Sequence, residues 1–131
     1  MYTEIEHTAD YAIRVSSPDL AGLFRDAARG MYALTGGTVP ETPNSREIEL
    51  LAADVETLLV SWLEELSFWL EMEGEMAGQI AFERLTTTEL AARIETGPAA
   101  GLTKLIKAVT FHDLEISLSA RGYEVTIVFD V

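Results

Sequence analysis

The sequence predicts an α+β fold, with two amphipathic helices laid on a largely antiparallel sheet in a single two-layer domain spanning residues 1–131. Three observations carry that expectation. Apolar residues recur at helical steps in two stretches, 20–34 and 55–70. Elsewhere they alternate with polar residues at a period of two, the mark of a half-buried strand. The most loop-like segment, residues 36–45, reads as a connection within one domain, and a chain of 131 residues can bury a core without staples.

From Tyr2 to Val15 the residues suit two short strands around a corner at His7-Thr8-Ala9-Asp10, with Ile5, Ala12, Ile13 and Val15 in β-compatible surroundings. Ser17-Pro18 then predicts a helix start, with Ser as N-cap, Pro at the first helical position and Asp19 near the positive end of the dipole. That helix carries Leu20, Leu23, Phe24, Ala27, Met31 and Leu34 on one face, and Gly36-Gly37 stops it. Arg46 to Ala52 alternates Ile48 and Leu50 against charged neighbours, as a strand does. Asp54 caps a second helix, whose stripe Val55, Leu58, Leu59, Trp62, Leu63, Leu66, Trp69 and Leu70 runs to Gly74 and predicts the main core helix. Glu56, Glu64, Glu65, Glu71 and Glu73 read as its solvated side. Glu64 and Glu65 are adjacent, so they point about 100° apart and do not converge on one substrate.

Beyond Gly74 the chain turns β-rich. Ile80 and Phe82, then Leu90, Ala92 and Ile94, predict a hairpin through Leu85-Thr86-Thr87-Thr88, followed by a turn or loop at Gly97–Gly101. Leu105 to His112, Leu114 to Leu118 and Tyr123 to Val131 predict three more strands. In the last one Tyr123, Val125, Ile127, Phe129 and Val131 share a face, which turns Asp130 the other way.

Composition narrows the chemistry. There are no cysteines, which excludes disulfides, zinc-thiolate sites, iron-sulfur clusters and a thiol nucleophile. Nine Lys and Arg against 22 Asp and Glu give a net charge of −13, a field that repels phosphate backbones and suits basic protein partners or cations. No basic-then-apolar leader opens the chain, and no stretch approaches the roughly 18 apolar residues of a membrane span. The expectation is a soluble, cytoplasmic protein without strong direct nucleic-acid binding.

The candidate site gathers Asp10, Asp130 and the C-terminal carboxylate of Val131, with His7, Lys107, His112 and Asp113 as neighbours. Should the two chain ends meet, those oxygens form a negative site of the kind that hard cations prefer: Ca²⁺ first, with Mg²⁺ or Mn²⁺ as alternatives. On residue types alone, Asp10 reads more readily as a turn residue and Asp130 as a solvated strand end. A zinc site from His7, His112, Asp10 and Asp113 is allowed by ligand type but has no supporting spacing. Lys107 interrupts the apolar run Leu105-Ile106-Lys107-Ala108-Val109, where a lysine is costly to bury without a carboxylate partner. No glycine-rich phosphate loop, serine-nucleophile motif or dinucleotide fingerprint is present.

Four motifs together resemble the archease family: His7-Thr8-Ala9-Asp10, the helix run from Leu58 to Leu66, Lys107-Ala108-Val109-Thr110-Phe111-His112, and the closing Asp130-Val131. They fall in order and span nearly the whole chain. The resemblance implies a non-enzymatic, chaperone-like activator of an RtcB-type RNA ligase in tRNA splicing and RNA repair. It would promote the ligase-guanylate intermediate and multiple turnover, with GTP and Mn²⁺ belonging to the ligase. It also implies a metal site at Asp10, Asp130 and Val131 and a functional lysine at Lys107, and some members are linked to a tRNA cytosine methyltransferase. The family's tyrosine at the next-to-last position of the Lys107–His112 motif is Phe111 here, which removes a hydroxyl. A metal-dependent hydrolase, with a cation at Asp10 and Asp130 activating water, is the competing reading.

Overall fold

The computed structural model describes residues 1–6 and 10–131. The elements run β1 (Tyr2–Glu6), β2 (Asp10–Ser17), α1 (Leu20–Thr35), β3 (Asn44–Leu51), α2 (Val55–Glu73), β4 (Glu75–Leu85), β5 (Glu89–Pro98), β6 (Ala108–Val109), β7 (Ser117–Ser119) and β8 (Gly122–Asp130). This is the expected α+β class, with two helices packed on antiparallel strands. The strands divide into two sheets. One has the order β1-β2-β8-β6, with β7 also on β8, and the other is β3-β5-β4. Strand β8 lies inside the first sheet, with β2 along one edge and β6 and β7 in tandem along the other.

Helix α1 packs on β1, β2 and β8, while α2 packs against α1, β3, β4 and β6. The junction between the layers is aromatic. Trp62 of α2 is fully buried, its indole Nε1–H donates to the Phe24 carbonyl at 3.0 Å, and its ring lies 5.4 Å from that of Phe82 on β4. An indole can be buried at no polar cost when its one donor finds such an acceptor. Tyr32, off the α1 stripe, is buried too, and its phenol oxygen accepts from the Ala77 N–H at 3.2 Å, beside a register shift in β4. Burial pushes that phenol up to about 12. Among the described residues, no buried side-chain polar atom lacks a partner, and no helix is long and apolar enough to cross a membrane.

The caps follow local chemistry, with one correction. Asp54 accepts from Thr57 N–H at 2.8 Å and Gly74 closes α2 in the left-handed region, as expected. The N-cap of α1 is Asp19, which accepts from Gly22 N–H at 2.7 Å, and not Ser17. Ser17 is still in β2, buried and opposite Tyr123, so the sheet claims it before the helix begins. Gly36, at φ 75°, ends α1.

Three further expectations are revised. Leu105 to His112 pairs over only two residues, Ala108 and Val109, and the preceding 103–104 are tied to the end of α1 through the Thr35 carbonyl. The segment from Leu114 to Leu118 is mostly irregular, strand pairing beginning only at Ser117. Its Ile116 N–H is taken by Glu56 at 2.9 Å, so Glu56 is not a merely solvated residue. Glu73 is likewise engaged: Arg46 holds it with two N–H donors at 2.9 Å each, lying 4.8 Å over the Trp69 ring. That fork keeps the Glu73 carboxyl below its usual range.

Candidate metal and partner-facing site

The two ends of the sheet path converge. Asp10 begins β2 and stands directly opposite Asp130 at the end of β8. On the far side of β8 Asp130 is opposite Ala108, and its carbonyl accepts the Lys107 N–H at 2.7 Å. Sequence alternation fixes which way the carboxylate points. Phe129 is fully buried, so Asp130 is delivered to the exposed side of the strand. Val131 is half-buried against the core, which anchors the segment that carries its oxygens. The side chain of Asp10 and the whole of His7 lie outside the described residues.

Sequence reasoning thus placed Asp10, Asp130, Val131 and Lys107 in one neighbourhood, and the backbone register brings them there. His112 is exposed, and its described contacts run elsewhere. Its N–H donates to Thr110 Oγ1 at 3.3 Å and its Nε2 lies 3.3 Å from Asp113 Oδ2, with Asp113 in the left-handed region at φ 49°. Thr110 already donates to Val128, two residues back from Asp130, so the chain at His112 is leaving the site.

One residue escaped the sequence reading. Lys104 Nζ sits 4.0 Å from the centroid of the Tyr11 ring, a cation–π contact, and Tyr11 is the residue after Asp10 and opposite Phe129. Lys104 and Lys107 are the only lysines of the chain, and both stand beside the β2–β8 end. Their spacing of three was a visible signal, although nothing local connects it with Asp10. As residue types the candidates Asp10, Asp130 and Val131 offer only oxygens, which suits a hard cation and not a soft one, while among the described residues no three His, Cys, Asp or Glu side chains group as a metal site.

This arrangement can be set beside known proteins. The model of the archease protein family matches residues 2–131. A protein archease of Methanosarcina acetivorans is 31% identical over 142 residues, covering 99% of this chain and 95% of its own. One from Saccharolobus islandicus is 33% identical over 132 residues, covering 96% and 95%. Among solved structures, an archease of Thermotoga maritima, described as a possible chaperone, aligns with a TM-score of 0.70 at 20% identity, covering 100% of this chain and 98% of that one. Protein 1598 of Methanobacterium thermoautotrophicum aligns with a TM-score of 0.76 at 24% identity, covering 99% and 98%. These two speak for the fold, and the family model and sequence relatives for descent: the chain belongs to the archease family.

Proposed function

We propose that this protein is a non-catalytic activator of an RtcB-type RNA ligase, acting in the cytoplasm in tRNA splicing and RNA repair. It promotes ligase guanylation and sustains multiple turnover. The observation that carries this reading is the placement of Asp10 opposite Asp130 in an archease, with Val131 and Lys107 alongside. Asp10, Asp130 and Val131 would hold a divalent cation, Ca²⁺ by preference, which supplies a fixed positive charge in an oxygen cage. Asp130 projects from the end of an interior strand, so its direction is set by the sheet. Lys107 stands next to it, exposed and held through its backbone to the Asp130 carbonyl.

Charge supports the partner class. A ligase active site must be basic to hold the phosphates of RNA and GTP, and a protein of net charge −13 is drawn to such a surface without competing for the RNA. GTP and Mn²⁺ are the ligase's own. The test is a ligation assay with an RtcB-type ligase, GTP and Mn²⁺, with and without this protein. Turnover should rise with the parent protein. Asp10→Ala and Lys107→Glu, confirmed folded by circular dichroism, should fail to stimulate. Full stimulation by both folded variants would remove these residues from the mechanism. Turnover of RNA by the purified protein alone, lost in Asp10→Ala, would favour a hydrolase instead.

A further inference from the structure

The outer face of α2 carries two exposed apolar side chains, Phe68 and Met72. Phe68 is 53% exposed and Met72 64% exposed, one turn apart on the same face, in a helix whose inner residues are fully buried. Phe68 stands between two shallow grooves. One is walled by residues 106–109 and floored by Ser67, and the other is bounded by Leu50 and Ser61. Glu64 borders both grooves, Glu71 borders the first and Glu65 the second. Among the described residues, Lys107 is the one cation that borders either.

We propose that this trough receives a cationic amphipathic helix of a partner protein. Its apolar side chains would seat on Phe68 and Met72, and its Lys or Arg residues would face Glu64, Glu65 and Glu71. The face from groove-lining Ser61 to exposed Met72 covers 11 helical steps, about 16 Å, enough to meet three turns of a partner helix. Charge complementarity selects a basic occupant. Carboxylates outnumber cations around the aromatic three to one, and an acidic helix would meet repulsion along its length. An exposed aromatic ringed by charge is also the composition of an anchoring contact, where one large side chain provides much of the affinity. The surface adjoins the cation site through Lys107 and Ala108 but does not require it to be occupied.

A synthetic Leu/Lys amphipathic helical peptide tests this, with its Leu/Glu counterpart as the control, read by fluorescence anisotropy and by amide shifts in NMR. The Leu/Lys peptide should bind, with shifts concentrated at residues 61–72 and 106–109, and binding should weaken as salt is raised. Phe68→Ser should weaken it by about tenfold, as should Glu64→Lys combined with Glu71→Lys. Asp130→Ala should leave it unchanged, which keeps this result separate from the fate of the cation site. Phe68 is exposed, so its variant should retain the parent's circular dichroism. Absence of binding, equal binding of the Leu/Glu peptide, shifts mapping elsewhere, or a folded Phe68→Ser that binds like the parent would each overturn the proposal.

Discussion

The phenol of Tyr32 ties α1 to β4 from inside the core, and its chemistry makes that tie sensitive to alkali. Burial raises its pKa from the ordinary 10.0 to about 12, because the phenolate would lose its water. Below pH 10 the group is neutral in both folded and unfolded chains, so its contribution is complete. Between 10 and about 12 the unfolded chain ionises while the folded one resists, and stability falls. The loss by about pH 11 should be on the order of 1 kcal/mol. Tyr32→Phe should remove that part of the alkaline slope, at the cost of the acceptor for Ala77 N–H. Urea unfolding at about pH 9 and about pH 11 checks it; an identical alkaline loss in both proteins would show that Tyr32 is not the group responsible. The burial of Tyr32 and the contact of Lys104 with Tyr11 were not legible in the sequence. Tyr32 lies off the stripe of threes and fours because α1 is covered on a second side, by β4, and that second contact leaves no periodic trace.

At the level of elements, α2 was the most legible part of the chain. Its cap, its stop and its stripe all act within a turn or two, so the sequence states them directly. The stripe predicts that Trp62→Ala will cost about 3–5 kcal/mol, since it empties a fully buried site and removes the indole's hydrogen bond to the Phe24 carbonyl. Phe68→Ala on the same helix should cost far less. Denaturant titration of the two variants decides the matter; comparable losses would mean that the inner face is not the packed one. The region from Leu105 to Ser119 was legible in pattern and not in extent. Ile106 and Val109 are buried, three residues apart and so not in strand alternation, and β6 and β7 divide one edge of β8 between them, so each pairs only briefly. Whether the Ile116 N–H goes to a strand or to Glu56 is settled by the approach of a helix sixty residues earlier, which no local signal reports. The break of the strands into two sheets has the same origin.

For the whole molecule the decisive contact is the longest in sequence. Alternation in β8 showed that Asp130 would face away from the core, but nothing in either segment showed that residue 10 would meet residue 130; the motifs carried that expectation. If the converging oxygens bind a cation, Ca²⁺ will stabilise the folded state by mass action and raise the melting temperature. Asp130→Ala, or an extension appended to Val131, should reduce the shift. A melting curve indifferent to millimolar-range Ca²⁺, or a shift that survives Asp130→Ala, would argue against the site.

The position of β8 also sets the order in which the molecule can be completed. It is the last strand in the sequence, yet it lies within the five-stranded sheet, so β2 has one edge unpaired until residues 122–130 arrive. At ribosomal speed that wait lasts on the order of ten seconds. Closing a connection of such length is entropically slow, and the open edge is a template for wrong pairings in the meantime. The acidic end of the sheet therefore has no precursor in a chain made only as far as β7: it comes into being when β8 docks on β2.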